Sequence, residues 1–225
     1  MFIFSSFQAA TFENILIMLI AVVMAIFVAM PAHEFAHALA AKLEGDYTAV
    51  ALKRYTLAPH AHFDIEGFIF LLLFGFGWAR PVPVDPRNYK HGRKSQFKVA
   101  IAGILTNIVL GILFLFVYLL IFKLSPTFYN STFYGKLLYE FLNFSISLNF
   151  MLAFFNIMPI YPLDGYKIVE SFCKYENGFL RVMKKYSTWI LLGLIITGLY
   201  SYFYTYTAAA LIEWLIKIFT KLLGI

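Results

Sequence analysis

Apolar residues in this chain gather into long unbroken runs separated by short polar stretches. The runs predict helices at about 12–42, 98–122, 138–160, 186–204 and 207–223, each close to or above the length that crosses a hydrocarbon core about 30 Å thick. A sixth run, 67–79, has only 13 residues and as a helix would reach about 20 Å, too little to cross. Between the first two helices, Tyr47 to Leu57 is rich in β-branched and aromatic residues and holds neither Gly nor Pro, which predicts a short strand or hairpin. Arg80-Pro-Val-Pro-Val-Asp-Pro86 then forbids helix. The polar stretches at about 42–66, 80–97 and 161–185 are too short for an independently folded module. The pattern predicts one membrane domain over 1–225: an all-α polytopic helix bundle, with a short β or re-entrant insertion after the first helix.

Composition agrees with that pattern. Hydrophobic residues make up 61%, charged residues 13%, and the mean hydropathy is +0.76, far from a soluble domain. No Lys or Arg precedes the run Ile15–Ala32, so it lacks the charged start of a signal peptide and is read as a retained span. The net charge of +6 lies in loops that flank apolar spans, as topology signals do, and does not point to nucleic acid. The single cysteine, Cys173, excludes an internal disulfide and any Cys-based metal motif.

Chemistry concentrates near the end of the first run, in Pro31-Ala-His-Glu-Phe-Ala-His-Ala38. On a helix His33 and His37 are four residues apart, about 40° around the axis, so both imidazoles reach one cation. Glu34 stands beside them as a carboxylate able to act as base on the water of a metal hydrolase. With five His and eight Glu in the chain, a shuffled sequence would hold this spacing roughly 0.004 times. Two His and a Glu in membrane-facing sequence are costly without a shared task. Asn107 in the second long helix is either an interhelical hydrogen-bonding group or part of a site. Asn149 and Asn156 fall within about 20° of one helix face and line a cavity on that reading.

That later helix ends in Asn156-Ile-Met-Pro-Ile-Tyr-Pro-Leu-Asp-Gly165. Pro159 and Pro162 break backbone hydrogen bonding in apolar sequence, which is tolerated mainly against a cavity. Asp164 follows directly, whereas Asp46, Asp64 and Asp85 sit in loops. It is the third candidate ligand, with His60, His62 and Glu66 as rivals. Two imidazoles and one carboxylate leave the open fourth position of a catalytic zinc.

The pairing of His-Glu-Phe-Ala-His with Asn-Ile-Met-Pro-Ile-Tyr-Pro-Leu-Asp-Gly resembles the site-2 protease family of intramembrane zinc metalloproteases. Ala61-His-Phe-Asp-Ile-Glu-Gly67 and Gly77-Trp-Ala-Arg-Pro-Val-Pro-Val84 are similar to the stretch between those motifs in compact bacterial members. The resemblance covers about residues 15–170. It implies one zinc ion held by His33, His37 and Asp164, Glu34 as the catalytic acid and base, and Asn107 and Asn156 at positions where the family carries asparagines. Asn156 is the expected donor to the oxyanion, and Asn107 is a further candidate for contact with substrate or oxyanion. The catalytic core is then about 12–170, with additional helices at 186–223. Where the family usually reads Ala-Gly-Pro, this chain has Ala102-Gly-Ile104.

Charge and ligand placement together set the expected topology. A crossing at 67–79 would put His33 and Asp164 at opposite faces, so that run is expected to dip in and return, with an external N-terminus and five spans. The expected substrate is a single-span membrane protein cleaved in or near its transmembrane segment. The 47–57 strand would hold it extended. The expected location is a bacterial plasma membrane, with the site near the cytoplasmic face. The alternative is a metal transporter or sensor with no proteolytic activity, which has no need of Glu34.

Overall fold

A computed structural model describes residues 11–74, 77–175 and 177–225. Among these, three helices are long and apolar enough to cross a membrane: α1 (Phe12–Leu43), α5 (Arg93–Leu124) and α7 (Phe133–Asn156). Each packs on the other two. Close approach follows from small residues on α1, where Ala21, Ala25, Ala29, Ala38 and Ala41 are all buried. Polar contacts at the ends fix an up-down-up order, with α5 antiparallel to both α1 and α7. Lys136 in the first turn of α7 pairs with Glu13 in the first turn of α1 at 3.2 Å. At the other end Glu44, just past α1, accepts from Lys98 at 2.5 Å, Ser95 at 2.6 Å and His91 at 3.1 Å, around the start of α5. These donors, Lys98 and Ser95 foremost, hold the Glu44 carboxyl down at about 2.

The insertion between α1 and α5 holds α2 (Thr48–Ala51), α3 (Pro59–His62) and α4 (Ile65–Phe74). No strand occurs among the described residues, which corrects the expectation for Tyr47–Leu57. Asp46 overrides the β-branched composition there. Its Oδ1 accepts from the Thr48 amide at 3.0 Å and the Thr48 hydroxyl at 2.5 Å, starting a helical turn. The same buried carboxylate accepts from the Asp85 amide and the Asn88 side chain, tying this turn to the loop before α5. With no strand, 47–57 offers no edge to a substrate.

The two ends of the run 67–79 come back together. Gly75 and Phe76 lie outside the described residues, but both stems of the hairpin are in view. Arg80 N donates to His62 O at 2.9 Å, so the chain leaves where it entered. A Cβ on Gly67 would lie 2.0 Å from Trp78 O, so only glycine lets the stems pass. Phe68 packs beside Val22 and Ile26 of α1.

The C-terminal third departs from expectation. Instead of helices at 186–204 and 207–223, it forms α10 (Ser187–Ile196) and α11 (Leu199–Leu223), bent by 74° at Thr197–Gly198. The described residues therefore hold three spans, or four if the bent pair counts as one, rather than five. The break falls at Gly198 because it adopts the left-handed φ of +68°. The gap expected between 204 and 207 is helical instead. Thr205 and Thr207 donate back to Ser201 O and Phe203 O, and Tyr200 and Tyr204 donate to Met151 O and Ser147 O of α7. Lys123 at the end of α5 donates to Leu223 O, so α11 ends at the Phe12 end of the bundle, opposite to the side expected for it. Leu115 and Leu119 of α5, Ile146 and Phe150 of α7, and Ala208 and Leu215 of α11 form the core at that end.

Candidate metal centre

His33 and His37 lie on one face of α1, buried, with ring centroids 4.7 Å apart and planes at 83°. Each ring is held by its Nδ1. His33 Nδ1 donates to Asn107 Oδ1 at 2.5 Å, and His37 Nδ1 donates to Val99 O at 2.7 Å, both partners being on α5. In neutral imidazoles the Nε2 atoms, 3.1 Å apart, are then left as lone pairs.

Asp164 opens α8 (Asp164–Phe172), the short helix after α7. Pro159 and Pro162 end α7 and turn the chain back, and Gly165 allows the return. A Cβ on Gly165 would come within 2.2 Å of Ile157 O. Asp164 Oδ2 then lies 3.2 Å from His33 Nε2 and 3.0 Å from His37 Nε2, buried and without a hydrogen-bond donor. Its Oδ1 accepts from Lys167 at 3.2 Å.

With both rings neutral, three acceptors converge, an arrangement that is repulsive unless a cation sits among them. Ligands of a tetrahedral zinc at 2.0–2.1 Å lie about 3.3 Å from one another, close to the separations seen here. His33, His37 and Asp164 are the one group of three such ligands among the described residues. The rivals are elsewhere. His62 is buried but donates from Nε2 to Thr56 O at 2.7 Å, and His60 and Glu66 are exposed.

Glu34 stands beside the two imidazoles on α1. Its Oε2 accepts from the Val82 amide at 2.7 Å, so the irregular stretch after the re-entrant hairpin runs across the site. Gly103 closes the opposite side. A Cβ there would lie 2.5 Å from His37 Nε2 and 2.6 Å from His33 Cε1, so α5 rests directly on the rings. The Ala102-Gly-Ile104 departure leaves α5 continuous, with Ile104 buried.

The asparagines separate. Asn107 is fully buried, with its oxygen on His33 and its Nδ2 donating to Asn149 Oδ1 at 2.8 Å. Asn156 is half-buried and donates to Leu152 O at 3.0 Å, one turn back in its own helix. Sequence reasoning did not single out Val99 O, the Val82 amide or the covering role of Gly103. Only the last left a signal, a glycine one turn before Asn107 on the same helix face.

A buried carboxylate and two imidazoles converging among helices of membrane-spanning length, with a second carboxylate beside them, form a group that could bind a metal ion. The sequence profile of Peptidase family M50 matches residues 19–198. The chain therefore belongs to peptidase family M50, the site-2 protease family. It is similar to YwhC of Bacillus subtilis (strain 168), a protein named as a zinc metalloprotease, with 39% identity over 66% of this chain and 67% of that one. It is also similar to MJ0611 of Methanocaldococcus jannaschii, likewise named, with 34% identity over 60% of this chain and 58% of that one. No solved structure matches the chain. The protein is a multi-pass intramembrane zinc metallopeptidase, and the transporter or sensor reading is not favoured.

Proposed function

We propose that the chain cleaves single-span membrane proteins in or near their transmembrane segment, with His33, His37 and Asp164 holding one zinc ion and Glu34 as general base and acid. The convergence of both bare Nε2 atoms on the unpartnered Asp164 Oδ2 carries this reading. Zinc, when bound, polarises the scissile carbonyl and lowers the pKa of water. Glu34 takes the proton as water attacks the carbonyl carbon and returns it to the leaving amine. The Val82 amide on Oε2 steers Glu34 and leaves Oε1 for that proton. Asn156 supplies a donor to the oxyanion, since only one of its amide hydrogens is engaged by Leu152 O. Asn107 has both amide groups engaged at zero exposure and acts on His33 instead of on substrate.

The loops at the Leu43 end, 42–98 and 157–186, carry most of the Lys and Arg, which supports a cytoplasmic placement of that end and a site that opens toward it. A bacterial plasma membrane is the proposed setting. The deciding experiment is Glu34→Gln in purified protein with a membrane-anchored substrate. Zinc should stay near one per chain while cleavage falls by about 10²- to 10⁴-fold. Cleavage at the wild-type rate, or folded wild-type protein that binds no zinc, would refute the assignment.

A further inference from the structure

Buried amides on α5 and α7 form a hydrogen-bonded chain with a fixed direction. It begins at Ser145 O, a backbone carbonyl that can only accept. Asn149, one turn further along α7 and fully buried, donates Nδ2 to that oxygen at 2.7 Å. Its Oδ1 must then face away, and there it accepts Asn107 Nδ2 at 2.8 Å. This in turn aims Asn107 Oδ1 at His33 Nδ1, 2.5 Å away. An acceptor at that place requires the proton on Nδ1, so the neutral ring keeps its lone pair on Nε2. His37 reaches the same state in one step, because its Nδ1 faces Val99 O.

We infer that Asn149 is a positioning residue for His33, selecting the imidazole tautomer by fixing which way the Asn107 amide points. The two orientations of a primary amide are nearly equal in shape. With Asn107 reversed, its NH₂ would face Nδ1, the proton would move to Nε2, and an N–H would point at Asp164 Oδ2 where the ion belongs. Packing cannot choose between the two orientations, whereas a carbonyl two residues removed along the chain of bonds can. Ser145 O therefore sets the sense of the whole series. The inference rests on the reading that His33, His37 and Asp164 hold zinc.

The test measures Zn²⁺ affinity of the metal-free protein in detergent by chelator competition, the visible absorption of the Co²⁺ form, and the melting temperature of the metal-free form. Asn149→Leu removes the directing acceptor and should weaken Zn²⁺ binding by about 10- to 100-fold and alter the Co²⁺ spectrum. Asn107→Asp presents an oxygen to His33 whichever way it turns, so its own affinity becomes a second reference. Adding Asn149→Leu to it should lower that affinity no further. An equal loss in both backgrounds would assign Asn149 to packing alone and overturn the inference, as would an affinity within about twofold of wild type for the single variant. If Asn149→Leu does not fold, Asn149→Ala in the same two backgrounds gives the same comparison. Folded wild-type protein without metal would remove the zinc reading and this inference together. Metal in the wild type with unchanged affinity in the variant would remove this inference alone.

Discussion

Replacing Gly103 with Ala adds one methyl group where the structure has no room for it. The new carbon would lie 2.5 Å from His37 Nε2, 2.6 Å from His33 Cε1 and 2.7 Å from His33 Nε2. Non-bonded heavy atoms settle at about 3.5–4.0 Å, so α5 must withdraw by about 1 Å or both rings must turn. A zinc site tolerates ligand displacements of about 0.2 Å. Withdrawal also pulls Asn107 Oδ1 and Val99 O off the two Nδ1 atoms that they now meet at 2.5 and 2.7 Å. The overpacking should cost about 1–3 kcal/mol of stability. Zinc affinity should fall by at least about tenfold as ring orientation is lost. Thermal unfolding in detergent and chelator competition read the two effects separately. A folded Gly103→Ala protein with wild-type melting temperature and zinc affinity would refute the claim that α5 rests on the rings.

Two more outcomes follow from the site and its supports. Asn156→Ala should leave zinc binding intact while lowering cleavage by about 10²- to 10³-fold, and an unchanged rate would remove Asn156 as the oxyanion donor. Glu44 should make stability depend on acid pH. Its carboxyl is held at about 2 in the folded chain against an ordinary 4.5 by Lys98, Ser95 and His91, so its contribution is full above about 4.5 and disappears as pH falls toward 2. Glu44→Gln should therefore melt below wild type at neutral pH, with the gap closing across that interval. A gap of constant size would mean that the charge plays no part.

Residues separated by a fixed helical interval were legible in the sequence. His33 and His37 are such a pair, and their shared face needs nothing but the periodicity of α1. Asp164 was legible because a carboxylate between prolines and Gly165, inside apolar sequence, needs a partner. The return of the 67–79 run was legible because its length is insufficient to cross and because the ligands had to meet. Contacts set by a single distant group were hidden. Asp46 turned a β-branched segment into a helical turn through bonds to Thr48 and to residues 85 and 88. The C-terminal boundary was hidden too, because the polar hydroxyls of Tyr and Thr interrupt the apolar pattern there. Their hydroxyls are instead satisfied by carbonyls of α11 itself and of α7, while Gly198 bends the chain a few residues earlier.

On the proposed assignment, the division of the three ligands between α1 and the start of α8 bears on the making of the protein as well as on its chemistry. A chain that enters the bilayer in order of synthesis has both imidazoles in place as soon as its first helix is wound. Their supports, Val99 and Asn107, arrive with α5, and Asp164 arrives only after α7 has crossed. An unfinished or truncated chain therefore holds two histidines and no third ligand. Acquisition of the metal would then report that α1, α5 and α7 have all come together, before α10 and α11 are added to them.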